Sequence, residues 1–91
     1  MSSPINLANV HFTQHALARM AERKVTKDEV IGVLTNPREV VTANEERFEA
    51  RGLIQRDERT MLLRVIYEHG EVVSVITVVA TSKLAKYGVT P

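Results

Sequence analysis

Residues 60–81, TMLLRVIYEHGEVVSVITVVAT, contain two apolar runs separated by His69 and Gly70. β-Branched and aromatic residues dominate both runs, and this composition is typical of strands. A glycine in a two-residue loop can adopt a positive φ, so the segment is predicted to form a β-hairpin that turns at His69 and Gly70. This hairpin decides the fold, because the rest of a short chain has to cover one of its faces.

The position of the loop predicts how the two strands pair. With a two-residue loop, Tyr67 lies opposite Val72 and Leu63 lies opposite Ile76. Paired residues project to the same face of a hairpin. The predicted core face therefore carries Met61, Leu63, Val65, Tyr67, Val72, Ile76, Val78 and Ala80. The predicted opposite face carries Leu62, Arg64, Ile66, Val75, Thr77, Val79 and Thr81.

Two short helices are predicted before the strands. Thr13 can cap a helix over about residues 14–24, in which apolar residues recur at helical spacing. Thr26 and Glu29 form a capping-box pattern at the start of a second helix. The Asn-Pro pair at 36–37 ends this helix, because a residue before proline avoids helical angles.

Two more strands are predicted at 38–42 and 47–55, with a polar turn at 56–59 leading into the hairpin. The predicted fold class is α+β: two N-terminal helices pack on one face of a three- to four-stranded antiparallel sheet. The other face of the sheet is expected to stay partly open.

The chain has 91 residues, 44% of them hydrophobic, which is enough for one hydrophobic core. We therefore expect residues 1–10 to form an irregular N-terminal segment, 11–88 a single domain and 89–91 a tail. The absence of cysteine excludes disulfides, thiol nucleophiles and thiolate metal sites. The first ten residues do not resemble a signal peptide, and the apolar run at 72–80 is too short for a membrane helix. These observations predict a cytoplasmic protein without a membrane partner.

The net charge of +1 is unevenly distributed along the chain. Residues 1–27 carry a net charge of +3, residues 28–71 carry −4 and the remainder carries +2. Eight of the twelve cationic residues are arginines, whose forked donors suit phosphate. RNA is therefore a possible partner where the two basic ends of the chain meet.

The stretch HFTQHALARMAER, residues 11–23, places His15, Arg19 and Arg23 four residues apart. On a helix this spacing forms a row along one side. His15 would lie in the first turn, where unpaired backbone N–H groups and the helix dipole attract phosphate. A base beside cations is what RNA cleavage by a 2′-hydroxyl requires. The alternative is a solvated helix face whose arginines pair with acids such as Glu22.

Histidine spacing raises the question of a metal site. His11 and His15 are four residues apart, but His11 precedes the predicted helix. No carboxylate stands at a matching interval to complete a ligand set. The sequence therefore predicts neither a metal site nor a cofactor.

A second group of polar residues lies partly on the predicted strands and partly in the segment directly after the hairpin. Hydroxyls and cations can donate hydrogen bonds to phosphate oxygens, and a tyrosine can stack on a base. Each of these residues singly also suits an ordinary strand or surface position. The candidate RNA contacts are Arg51, Arg64, Thr77, Ser82, Lys83, Lys86 and Tyr87.

Two long stretches of the sequence resemble a widespread bacterial domain family of unknown function. They are HALARMAERKVTKDEVIGVLTNP at 15–37 and RVIYEHGEVVSVITVVATSKLAKY at 64–87. Both follow the family's order: His-Ala, two arginines, a helix-opening Ser or Thr, an Asn-Pro stop, and a closing hairpin that leads to Thr-Ser-Lys and Lys-Tyr. That family is grouped with the barnase–EndoU–colicin–RelE fold, the RNase fold of many bacterial toxins. The resemblance covers roughly residues 11–88.

The resemblance implies a toxin-like, metal-independent endoribonuclease with a RelE/barnase-like fold. Such an enzyme cleaves RNA by attack of the 2′-hydroxyl and produces a cyclic phosphate. His15 would be its general base or acid, Arg19 and Arg23 would contact the phosphate, and Thr81 would complete the catalytic group. An antitoxin or immunity-type protein would be an expected partner.

Two features leave alternatives open. Ribosome-dependent toxins of the RelE type are usually far more basic than this chain. One histidine beside arginines also lacks an obvious second acid or base, which would have to be Tyr87 or Glu49. The domain could instead be a non-catalytic RNA- or protein-binding module. It could also be a homodimerisation or antitoxin-binding domain with an exposed apolar patch formed by Leu62, Ile66, Val75 and Val79.

Overall fold

The computed structural model describes residues 10–88. Its helices are α1 (Gln14–Arg23), α2 (Lys27–Thr35) and a 3₁₀ helix (Leu84–Tyr87). Its strands are β1 (Val10–Phe12), β2 (Glu39–Thr42), β3 (Arg47–Arg56), β4 (Arg59–His69) and β5 (Val73–Thr81). The predicted tail at 89–91 and residues 1–9 of the predicted N-terminal segment lie outside the described residues.

The five strands form one sheet in the order β1-β5-β4-β3-β2. β1 runs parallel to β5, and the other neighbouring strands are antiparallel. The α+β class is confirmed, but the sheet has five strands rather than three or four. The additional strand, β1, has only three residues, too few to show an alternating pattern in the sequence. The helices therefore follow a strand instead of opening the fold.

Both helices begin as their sequences predict. The Thr13 hydroxyl accepts a hydrogen bond from Ala16 N at 3.0 Å at the start of α1. Thr26 and Glu29 form the reciprocal capping box at the start of α2. These contacts are local, so the residue types and their spacing suffice to specify them.

The helices cover one face of the sheet and form the main hydrophobic core. Gly52 of β3 allows α2 to approach closely, because a Cβ at this position would lie 2.8 Å from Val33 Cγ2. The buried residues of this cluster are Ala16, Met20, Val25, Val30, Val33, Leu34, Ala50, Ile54, Leu63, Val65, Tyr67, Val73, Val75 and Val78.

An arginine at the end of β3 ties the two helices to the sheet. Arg56 donates hydrogen bonds from both terminal nitrogens to the Glu29 carboxylate, and Nη2 also donates to Lys24 O at 2.8 Å. Glu29 accepts from Thr26 N as part of the capping box. The Arg56 hydrogen bonds lower the pKa of Glu29 from 4.5 to about 2. We call Lys24, Glu29 and Arg56 the helix-end cluster.

The predicted hairpin exists, but its loop and register were wrong. β4 continues to His69, and residues 70–72 form the loop, in which Gly70 N donates to Val72 O at 3.1 Å. Gly70 does not have the positive φ that a two-residue loop would use. Leu63 consequently pairs with Ala80 rather than with Ile76.

A β-bulge in the hairpin explains why half of the face assignment fails. Ile66 pairs with Thr77 and Tyr67 pairs with Val75, which leaves Ile76 as an additional residue in β5. The longer loop reverses the faces of the residues between the loop and the bulge, and the additional residue then restores the predicted faces from Thr77 onward. Val75 is therefore buried in the core, contrary to the prediction, while Thr77 stays on the opposite face.

The bulge also fixes where α1 starts. Thr13 N donates to Val75 O at 3.1 Å, and the Thr13 hydroxyl donates to Ile76 O at 3.0 Å. α1 therefore leaves the sheet at the edge of β5, beside the bulge. It ends near the end of β3, where Lys24 O accepts from Arg56.

The sheet face opposite the helices, called the open face below, is covered at one end by the 3₁₀ helix. Leu84 of that helix packs against Leu62, which is fully buried. Leu62 and Val75 are both inaccessible, so the predicted four-residue apolar patch is not an exposed surface. Across residues 10–88, no helix is both long and apolar enough to cross a membrane.

Candidate functional site

The open face is organised in rows of side chains that run across β3, β4 and β5. Arg51 and Arg64 are direct cross-strand neighbours, as expected for candidate contacts on adjacent strands. The two central rows are Glu49–Ile66–Thr77 and Arg51–Arg64–Val79.

A glutamate lies between these two arginines. Arg51 Nε donates to Glu49 Oε2 at 2.5 Å, while Arg64 donates from Nε to Oε2 at 2.8 Å and from Nη2 to Oε1 at 2.9 Å. Glu49 is only 5% exposed, so both oxygens are held in a largely dry environment. Such a bidentate arginine–carboxylate contact is among the stronger hydrogen-bonding arrangements in proteins.

The two arginines keep this buried carboxylate ionised. The hydrogen bonds from Arg64, followed by those from Arg51, hold the pKa of Glu49 below its ordinary value of 4.5, although burial acts in the opposite direction. Glu49 in turn raises the pKa of both arginines. The group therefore carries two positive charges and one negative charge at neutral pH.

Tyr87 of the 3₁₀ helix closes over the arginine pair. Its hydroxyl accepts a hydrogen bond from Arg64 Nη1 at 2.9 Å. The ring centroid lies 5.0 Å from Arg64 Cζ and 5.1 Å from Arg51 Cζ, within range of cation–π attraction. Lys86 Nζ lies 6.0 Å from the same ring. We call Glu49, Arg51, Arg64 and Tyr87 the open-face cluster.

The remaining C-terminal candidates lie at the end of β5 and after it. Lys83 N donates to Thr81 Oγ1 at 3.1 Å, so the Thr81 hydroxyl is used to turn the chain. Ser82 and Lys83 are exposed. Thr77 lies nearer the bulge, in the same cross-strand row as Glu49.

The candidate row on α1 is fully on the solvent side of the helix. His15, Arg19 and Arg23 are all exposed. Arg19 Nη1 donates to Glu22 Oε1 at 3.0 Å, in an ion pair whose side chains are 44% and 56% exposed. An exposed pair of this kind contributes little to stability. For Arg19, the structure therefore shows the ion pairing that the solvated-face alternative predicts.

The structure brings the candidates together as two groups rather than one. α1 starts beside Ile76 but packs on the core face of the sheet, whereas Thr77 lies on the open face. Thr81 lies five residues beyond Ile76 along β5, about 17 Å at the usual strand rise. Among residues 10–88, no hydrogen bond or ion pair joins His15 or Arg23 to Thr81 or to the open-face cluster.

Sequence reasoning treated Glu49 only as one option for a second acid or base. The structure makes it the centre of the open-face cluster. Its sequence signal is the alternation Arg47-Phe48-Glu49-Ala50-Arg51, because period-two spacing puts the charged residues on one strand face. Its two arginine contacts depend on β4 as well as β3, which explains why alternation alone could not rank it.

The two N-terminal histidines occupy different elements. His11 lies in β1 and pairs with Ser74, whereas His15 lies in the first turn of α1. Within the described part of the chain, no group of three or more His, Cys, Asp or Glu residues could hold a metal ion.

Comparisons with known proteins identify a family but no individual relative. No curated protein and no solved structure matches the chain significantly. A family model described as a domain of unknown function, DUF4258, matches residues 12–84. The match runs from the last residue of β1 to the first residue of the 3₁₀ helix and thus spans both helices and the hairpin. The chain therefore belongs to the DUF4258 family.

Proposed function

We propose that this domain is a toxin-like, metal-independent endoribonuclease whose substrate phosphodiester binds on the open face. The observation that carries the proposal is the buried, ionised Glu49 held between Arg51 and Arg64, in one row with Thr77. The resemblance of the sequence to the barnase–EndoU–colicin–RelE group supports the same reaction class. The products would be a 2′,3′-cyclic phosphate and a free 5′-hydroxyl.

The first step in the proposed reaction is capture of the phosphate by Arg51 and Arg64. Their guanidinium groups are planar forks that match phosphate oxygens, and they stabilise the additional charge that develops on phosphorus. The two side chains lie on adjacent strands and are only 18% and 24% exposed. A charge placed between them is therefore poorly screened by water.

Glu49 is the proposed general base. The arginines now lower its pKa, and a phosphate that takes over some of their donors would weaken this effect. Burial would then raise the proton affinity of the carboxylate. Glu49 would accept the 2′-hydroxyl proton only after substrate has bound, and the 2′-oxygen would attack phosphorus as the bond to the 5′-oxygen breaks.

His15 is the proposed general acid for the departing 5′-oxygen. The hydrogen bond from Thr13 to Ile76 O anchors the start of α1 at the residue before Thr77, which ends the row that contains Glu49. Because α1 packs on the other face of the sheet, a substrate bound on the open face would reach His15 around the side of β5. Thr77 would donate to a phosphate oxygen between the two groups. Arg19 and Arg23 would follow the RNA backbone along α1.

The direct test is RNA cleavage by the purified protein in the presence of EDTA. Wild-type protein should release cyclic-phosphate ends, and Glu49→Gln should lower the rate by about a hundredfold or more because the base is lost. Glu68→Gln is the matched control, since Glu68 lies on the same sheet face and pairs with Arg47 outside the proposed site. His15→Ala should lose most of the activity while remaining folded.

Equal rates for Glu49→Gln and Glu68→Gln would exclude Glu49 as the base. The competing function is an RNA-binding module without chemistry. It is favoured by the fact that both Glu49 oxygens already accept hydrogen bonds from arginines. Its signature would be RNA affinity that falls with salt while no product accumulates.

A further inference from the structure

The chain after β5 folds back over the open face. Residues 82–88, which we call the strap, include the 3₁₀ helix and end at Gly88, whose φ is +69°. Leu84 is 7% exposed and packs against Leu62 of β4. Tyr87 covers the two arginines of the open-face cluster.

Side chains alone hold the strap in place. Its backbone hydrogen bonds are local: Leu84 N donates to Ser82 O at 3.0 Å, and Gly88 N donates to Ala85 O at 3.1 Å. Within residues 10–88, no backbone–backbone hydrogen bond joins the strap to a strand, although Lys83 N donates to the Thr81 hydroxyl at the end of β5. A segment with few buried contacts and only local backbone bonds opens at low cost compared with the sheet beneath it.

The strap takes up one of the donors that a phosphate would need and lies over both guanidinium groups. Arg64 uses Nε and Nη2 for Glu49, and its remaining nitrogen, Nη1, donates to the Tyr87 hydroxyl. Arg51 donates from Nε to Glu49 and from Nη1 to Glu39. The ring of Tyr87 also lies against both guanidinium groups.

We infer that the strap is an autoinhibitory cover, which must lift from Arg51 and Arg64 before a phosphodiester can reach them. The inference rests on the proposed function for the identity of the ligand. In the closed state, Tyr87 acts as an internal competitor for the Arg64 donor. RNA binds the open state, so the apparent affinity is reduced by the fraction of molecules that are closed.

Two substitutions loosen the strap without touching the arginines. Leu84→Ala removes the packing on Leu62, and Tyr87→Phe removes the acceptor for Arg64 Nη1. Leu84 is outside the main core, so the fold should persist, which circular dichroism will verify. Leu17→Ala is the control, because it removes the same atoms from a leucine that is 37% exposed on α1.

The probe is a short 2′-O-methyl RNA oligonucleotide, which binds like RNA but cannot be cleaved through its 2′-oxygen. Leu84→Ala and Tyr87→Phe should each bind it about three- to tenfold more tightly than wild type, with Leu17→Ala unchanged. In wild type, the oligonucleotide should accelerate amide hydrogen exchange at Leu84 and Gly88, because bound RNA displaces the strap.

Unchanged or weaker binding by both strap variants would overturn the inference, as would slower exchange at Leu84 on binding. The failure of the proposed function looks different. If the oligonucleotide lifts the strap but unmodified RNA is never cut, the cover stands and the endoribonuclease does not. If RNA is cut and neither strap variant changes affinity or rate, the endoribonuclease stands and the autoinhibitory cover does not.

Discussion

The helix-end cluster and the open-face cluster both contain an arginine–glutamate ion pair, but their arginines differ in their remaining hydrogen-bond partners. In both, an arginine donates to a glutamate whose pKa it lowers. Arg56 gives its two additional hydrogen bonds to backbone carbonyls, Lys24 O and Gln55 O, whereas Arg64 gives its additional hydrogen bond to a side chain, Tyr87. A backbone acceptor is fixed by the fold around it, but a side-chain acceptor can move away. Arg56 therefore has fixed partners, whereas the side-chain partner of Arg64 can be displaced.

The largest expected effect separates the two arginines by activity. Arg64→Gln should reduce RNA cleavage by about a hundredfold, because the substitution removes a cation that would stabilise the transition state of the proposed reaction. Arg56→Gln should cut RNA at a rate close to wild type at a temperature where both variants are folded. Initial rates in EDTA measure the difference. Equal losses in the two variants would remove the functional distinction between the clusters.

The free energy of unfolding should depend strongly on Arg56, although RNA cleavage should not. Arg56→Gln should lower the free energy of unfolding by about 2 kcal/mol, because Lys24 O and the Glu29 carboxylate lose a charged donor together. Urea denaturation measures the change. Arg47→Gln provides the reference, since its ion pair with Glu68 is largely exposed and should cost less than about 1 kcal/mol. A cost for Arg56→Gln no greater than this reference would show that the helix-end cluster does not anchor the helices.

The pH dependence of the unfolding free energy should show the contribution of Glu29 in the helix-end cluster. The pKa of Glu29 is about 2 in the folded protein against 4.5 ordinarily, so its ion pair stabilises the fold fully above pH 4.5. That contribution disappears as the pH falls through 4.5 towards 2. The difference in unfolding free energy between wild type and Glu29→Gln should therefore be constant near neutral pH and shrink in acid. A difference that grows in acid would contradict this assignment. The lowered pKa of Glu49 acts in the same direction.

The smallest expected effect tests whether the tie at the helix end runs through the backbone. Lys24 follows α1 with a φ of +57°, a conformation that glycine adopts without steric cost. Lys24→Gly keeps the carbonyl that accepts from Arg56, so it should raise the free energy of unfolding by about 0.5–1 kcal/mol. Thermal unfolding measures the gain. A loss would mean that the lysine side chain, rather than its carbonyl, supports the cluster.

The helices could be read from the sequence because their signals are local. Thr13 and Thr26 each cap a helix through a neighbour three residues on, and no distant contact has to be known. The hairpin was only partly predictable. Its strands are where the apolar runs are, but the bulge at Ile76 lies at a contact with Thr13, 63 residues away, whose hydroxyl donates to the Ile76 carbonyl.

The candidate site shows the same division. Arg51 and Arg64 could be proposed as RNA contacts from their residue type and strand positions, and the register shows that they are direct cross-strand neighbours. The central role of Glu49 did not follow, because its burial requires arginines from two strands and a cover from a third element. The cover itself had no sequence signal beyond Leu84 and Tyr87, two residues that equally suit a short surface turn.

By itself, the sequence determined that this chain forms two capped helices and a closing hairpin in an α+β domain, and it named the arginines and histidine from which a site could be built. Only the tertiary structure decided the five-stranded order, the reversed face between the loop and the bulge, and the separation of His15 from Thr81. The physical reason is how far apart in the sequence the interacting residues are. Caps and alternation depend on residues a few positions apart, whereas register, burial of Glu49 and closure by Tyr87 depend on contacts between segments that only the folded chain brings together.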